Sequence, residues 1–87
     1  KAAGLINFIV PAADLAAETA KLAARLAQGP TRAIANTKRL INMSLEQSLE
    51  SQLQAEAMSF ADCAASEDWI EGVTAFAEKR KPKFRGR

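Results

Sequence analysis

Asp68 and Glu71 are carboxylates three residues apart, a spacing that sets both on one face of a helix. Paired acids so placed are the raw material of general acid/base catalysis, one giving a proton and the other taking one. Here they follow directly on Ser66 and Glu67. A serine followed by acids is also how a helix begins, with an oxygen capping the free N–H groups and negative charge complementing the dipole. That second reading accounts for both residues without a reaction and is the simpler. Cys63 is the only thiol, so it forms no internal disulfide, and it lies in an alanine-rich stretch with no adjacent cation or histidine to activate it. It reads as a small buried apolar residue rather than a nucleophile. The 87 residues contain no histidine or tyrosine, hence no Ser/His or Cys/His pair and no Cys/His metal set, and no Gly-rich phosphate loop. Autonomous catalysis is not expected of such a chain.

The strongest electrostatic feature is the end of the chain. Six of the twelve cations (Lys79, Arg80, Lys81, Lys83, Arg85 and Arg87) fall in the last nine residues, leaving residues 1–78 with six cations against ten acids, a net of −4. Basic runs attract phosphates, whether of nucleic acid, lipid or a nucleotide-containing molecule, although many are simply solvated or meet a neighbouring subunit. With the remainder acidic and no recognition motif or aromatic ladder, a nucleic-acid partner is not expected. No apolar run approaches the roughly 18 residues of a membrane span, and the lone cysteine fits a reducing, cytoplasmic setting.

The elements that must carry these residues are helical. Gly4 to Val10 is rich in β-branched and aromatic residues and stops at Pro11, which predicts one short strand or extended segment whose partner lies upstream of Lys1 or on another molecule. From Ala12 the period turns helical: Leu15, Thr19, Leu22 and Leu26 form one stripe, with Asp14, Glu18, Lys21, Arg25 and Gln28 opposite. Gly29-Pro30 closes this helix and opens a second, to about Asn42, with Ile34, Thr37 and Ile41 on one face. Ser44-Leu45-Glu46-Gln47 has the form of a capping box and predicts a third helix with the stripe Leu45, Leu49, Leu53, Ala57, Phe60 and Ala64. Ser66 caps a fourth, on which Trp69, Val73, Phe76 and Ala77 face one way, and Pro82 prevents its continuation. The expected architecture is all-α: an extended segment at 1–11, about four helices over 12–81, and a basic tail at 82–87. At this length one modest core is possible, and the opening on Lys1 points to a processed product or fragment.

Taken together, Asp68-x-x-Glu71-Gly72-x-x-Ala75-Phe76-x-x-Lys79-Arg80-x-Pro82-x-Phe84 resembles the ending of enoyl-CoA hydratase/isomerase (crotonase superfamily) proteins. Ala3-Gly4-Leu5-Ile6-Asn7 with Val10-Pro11, Leu22-Ala23 with Leu26-Ala27, and Gly29-Pro30 with Thr37-Lys38 agree with that family in order and spacing. The resemblance covers essentially the whole chain. It implies a C-terminal helical segment of a larger protein whose α/β core, preceding Lys1, carries the acidic catalytic residues and an oxyanion hole of two backbone N–H groups. It further implies that the helices close over an acyl-CoA site and make trimer-type homo-oligomer contacts. By position in the motif, Phe76 and Lys79 match residues near the adenine and phosphate end of coenzyme A, and Phe60 matches a further aromatic near it. An aromatic face can stack on adenine and an ammonium can pair with phosphate; equally, Phe60 and Phe76 fall on apolar stripes and are candidates for core. Gly29-Pro30-Thr31, the run Lys38 to Asn42 and the stretch Ser44 to Ala57 lean toward the phenylacetate-degradation isomerases of the family. The contrasting expectation, from a different class, is a freestanding helical module that self-associates through its leucine and phenylalanine stripes.

Overall fold

The computed structural model describes residues 2–87. Residues 2–11 run through turns and irregular extended backbone with no strand, because a ladder needs a partner and none is at hand among the described residues. A single 3₁₀ turn over Ala12–Asp14 leads into helix α1 (Leu15–Ala27), followed by α2 (Thr31–Met43), α3 (Leu49–Ala64) and α4 (Glu67–Ala77). The all-α expectation of four helices holds.

Three helix boundaries follow from local chemistry. Gly29 closes α1 with its N–H on the Leu26 carbonyl at 3.1 Å, and the Pro30 carbonyl receives the first bond of α2 from Ile34 N–H at 3.1 Å. Ser66 caps α4, its Oγ accepting from Trp69 N–H at 3.2 Å. The start of α3 differs from the sequence expectation. The cap is Ser48, whose Oγ accepts from Ser51 N–H, whereas Ser44 ends α2 and gives its hydroxyl proton to the Ile41 carbonyl at 2.7 Å. Ser44 to Gln47 therefore forms a turn, and Leu45 stands almost wholly exposed rather than on the α3 stripe.

α2 and α3 form an antiparallel hairpin stitched by polar side chains. The Arg32 guanidinium grips both oxygens of Asp62, Asn36 donates to the same carboxylate at 2.9 Å, Arg39 reaches the buried Ser59 hydroxyl at 3.1 Å, and Gln52 donates to the Leu40 carbonyl at 3.2 Å. α3 meets α4 where the Phe60 ring stands edge-on to Trp69, with centroids 5.5 Å apart and planes at 80°. α1 packs with the 3₁₀ turn and lies apart from this assembly.

The molecule is a plate of 42 × 39 × 19 Å with a radius of gyration of 16.4 Å. A compact chain of this length would have about 12 Å. Its accessible surface is 7245 Å², against about 5,000 Å² for a compact monomer of this mass. Among the described residues Ala75 is the only buried apolar one, while leucine, isoleucine and phenylalanine side chains of every helix stay open. These helices have apolar faces but no shared core.

Candidate functional site

The functional geometry gathers at the two ends of α4. At its N-terminal end Asp68 is buried and accepts the backbone N–H groups of Arg85 and Gly86 at 2.7 and 2.8 Å, while its own N–H donates to the Arg87 carbonyl at 2.9 Å. One turn on, Glu71 accepts the Lys83 N–H at 2.7 Å and the two terminal guanidinium nitrogens of Arg80, Nη1 and Nη2, at 2.6 and 2.9 Å. The Phe84 ring packs against Gly72, where a Cβ would meet it in ordinary contact at 3.5 Å. The basic tail is thus laid back along α4 rather than solvated. The two carboxylates do sit in the first turns of a helix, but what they bind is the tail. The Arg80 guanidinium, with the Lys83 N–H, holds the Glu71 carboxyl down at about 2, and Arg80 is correspondingly raised by Glu71 and Glu78. With both carboxylates engaged in this way, neither is placed as a general acid or base.

At its C-terminal end α4 stops at Ala77, before Pro82 comes into play. Lys79 adopts φ 55°, the left-handed conformation, and the Arg80 N–H reaches the Ala75 carbonyl at 3.0 Å while the Lys79 N–H reaches that of Phe76 at 3.2 Å. This is a Schellman closure with lysine where glycine is usual. It ties Phe76 and Lys79 to one rigid turn. Phe76 is 86% exposed and borders an apolar cavity of about 350 Å³ with Trp69, Val73, Ala33, Pro30 and Phe84. Phe60 does not line that cavity; it reaches it only through its edge contact with Trp69.

Of the three residues singled out by sequence, the structure brings Phe76 and Lys79 together and leaves Phe60 with Trp69. Sequence reasoning missed Phe84 as a cavity wall and the ion pair of Glu71 with Arg80 next to the Lys79 turn. Phe84 had a signal, being the last aromatic of the terminal pattern; the Glu71 to Arg80 bond, nine residues long and outside helical spacing, had none. Lys79, Lys81, Lys83 and Arg85 enter no ion pair among the described residues, and of these Lys79 shares the helix-end turn with the exposed Phe76. That pairing suits a ligand with a flat ring and a phosphate. Among the described residues no three metal-ligating side chains converge, and no helix is long and apolar enough to cross a membrane.

The profile of the enoyl-CoA hydratase/isomerase family matches residues 1–87. The chain belongs to that family. It is 42% identical over 84 residues to a probable enoyl-CoA hydratase of Rhodobacter capsulatus, covering 97% of this chain and 33% of that protein. It is 38% identical over 86 residues to the 2,3-dehydroadipyl-CoA hydratase of Escherichia coli, covering 98% and 33%. Among solved structures, an enoyl-CoA hydratase of Geobacillus kaustophilus superposes with a TM-score of 0.90 at 34% identity, over 97% of this chain and 32% of that one. The chain thus spans about a third of the length of the relatives it matches. In those relatives the matching segment is one part of a chain about three times as long.

Proposed function

We propose that this chain is the C-terminal helical part of an acyl-CoA hydratase or isomerase, closing the acyl-CoA site and making trimer-type oligomer contacts while the catalytic groups lie outside residues 1–87. The observation that carries the reading is the joint presentation of Phe76 and Lys79. A bare aromatic ring and an ammonium without an ion-pair partner are fixed on one turn at the end of α4, as the adenine and phosphate end of coenzyme A requires. The lack of histidine and tyrosine, and the engagement of Asp68 and Glu71 with the tail, support placing the chemistry elsewhere. The surface in excess of a compact monomer, of the order of 2,000 Å², supports burial against the rest of the protein and neighbouring subunits.

The substrate of the whole protein, on this reading, is an unsaturated acyl-CoA thioester. The narrower assignment to phenylacetate-degradation isomerases rests on runs that form the α1–α2 junction, α2 and the first half of α3, and Phe76 and Lys79 do not depend on it. The test uses the full-length protein with Phe76→Ala and Lys79→Ala. Each is expected to raise KM for crotonyl-CoA about tenfold, the scale of one charge-assisted or stacking contact, and to leave KM for crotonyl-pantetheine, which has no nucleotide, unchanged. An unaltered KM for crotonyl-CoA in both variants would refute the assignment.

A further inference from the structure

We propose that Glu71 is a positioning residue for coenzyme A recognition, acting through Arg80 to hold the left-handed turn that aims Lys79. The inference rests on the reading of Lys79 as a phosphate contact and adds how the lysine is held.

The starting observation is the backbone of Lys79. A φ of 55° is a conformation that a side chain with a Cβ adopts at a cost, which is why helix ends of this kind prefer glycine. Such a conformation persists where its surroundings over-determine it. Here the surroundings are specific. The residue after Lys79 is Arg80, whose backbone N–H is fixed on the Ala75 carbonyl at 3.0 Å and whose guanidinium turns back to both oxygens of Glu71, at 2.6 and 2.9 Å, and to Glu78 at 2.6 Å. Glu71 also holds the Lys83 N–H at 2.7 Å. One carboxylate on α4 therefore grips the chain at two points beyond the turn, residues 80 and 83.

The bidentate pair restricts Arg80 in plane as well as distance. With the Arg80 backbone held on Ala75 and its side chain held on Glu71, Lys79 bridges the two in the left-handed conformation. Its Cα–Cβ direction, and so the volume open to its ammonium, follows from that closure. Glu71 is ionised throughout the neutral range because Arg80 and the Lys83 N–H hold its carboxyl low, so the brace is in place under working conditions. Lys79 makes no ion pair of its own; its aim comes from the backbone rather than from a side-chain tether.

The experiment measures KM and kcat of the full-length protein with crotonyl-CoA and with crotonyl-pantetheine for Glu71→Gln, Arg80→Gln, Lys79→Ala and the double variant Glu71→Gln/Lys79→Ala. Loss of the brace should raise KM for crotonyl-CoA roughly three- to tenfold in both Glu71→Gln and Arg80→Gln, with kcat changed less than twofold and KM for the pantetheine thioester unchanged. The double variant should match Lys79→Ala alone, since a brace has nothing to aim once the ammonium is gone. If Lys79→Ala raises KM but neither brace variant does, or if the two effects multiply in the double variant, the positioning role is overturned and the phosphate contact stands. If Lys79→Ala itself leaves KM unchanged, the phosphate contact falls and takes the positioning role with it. Equal damage to both thioesters by both brace variants would mark a merely structural bond and overturn the proposal.

Discussion

The carboxylate of Asp68 and the backbone of Gly86 are joined by a 2.8 Å hydrogen bond across eighteen residues, with Arg85 N–H on the other carboxylate oxygen at 2.7 Å. This one acid, buried at the start of α4, turns a run of cations into an ordered strap. Charge-assisted bonds to two N–H groups are among the stronger single contacts a side chain can make.

Replacing Asp68 with alanine should therefore release the tail. Loss of two charge-assisted hydrogen bonds at a buried site is worth about 2 kcal/mol, a change of roughly thirtyfold in the docked population. Trypsin cleavage after Lys83 and Arg85 reads this directly. Cleavage should quicken on that scale in Asp68→Ala, and an unchanged rate would show that the tail is held by other means.

One glycine within the strap and one against it should respond in opposite ways. Gly86 has φ 78° and a Cβ there would run into the Thr31 hydroxyl, so Gly86→Ala should loosen the tail by at least the ~1 kcal/mol cost of a left-handed alanine. Gly72 lies inside α4 with Phe84 at ordinary contact distance, so Gly72→Ala should stabilise by about 0.5–1 kcal/mol through helix propensity. Thermal unfolding and tail proteolysis of the full-length variants check both signs.

Acid should undo two of the cross-links in a defined window. The Arg32 guanidinium and Asn36 amide hold Asp62 at about 2, and the Arg80 guanidinium and Lys83 N–H hold Glu71 at about 2, against ordinary values of 3.8 and 4.5. Each carboxylate is easier to ionise folded than unfolded. Their contribution is thus complete above about pH 4.5 and is lost as pH falls through about 2. Both pairs are partly exposed, so salt should weaken the effect. Amide exchange at Lys83, corrected for intrinsic rates, should show protection at pH 5 that is gone below pH 2; protection that persists there would contradict the assignment.

The extended shape carries its own expectation for the chain in isolation. With Ala75 as the only buried apolar residue described and Phe8, Leu53, Ile70 and Phe76 all open, the 87 residues alone should self-associate. Sedimentation should show a concentration-dependent mass, and a compact monomer at high concentration would count against the account.

What the residues announced in advance was the local chemistry and the overall pattern. Gly29-Pro30 and Ser66 mark helix ends because capping is decided by the residue at the end and its neighbours. Ser44 misled because Ser48 offers the same cap four residues later, and the choice turned on Ser44 spending its hydroxyl on Ile41. The strap was invisible because the partners of Asp68 and Glu71 are mostly backbone N–H groups, which every residue but proline carries. The left-handed Lys79 was invisible for a related reason: lysine has no preference for that conformation, and the Arg80 bonds that impose it span five and nine residues.

The central claim is that these helices complete an acyl-CoA site whose catalytic groups lie elsewhere. Hydration of crotonyl-CoA by the 87-residue chain alone, set beside the full-length protein, tests it most directly. The account predicts turnover by the full-length protein and none by the chain above the uncatalysed rate. Turnover by the chain alone would contradict it.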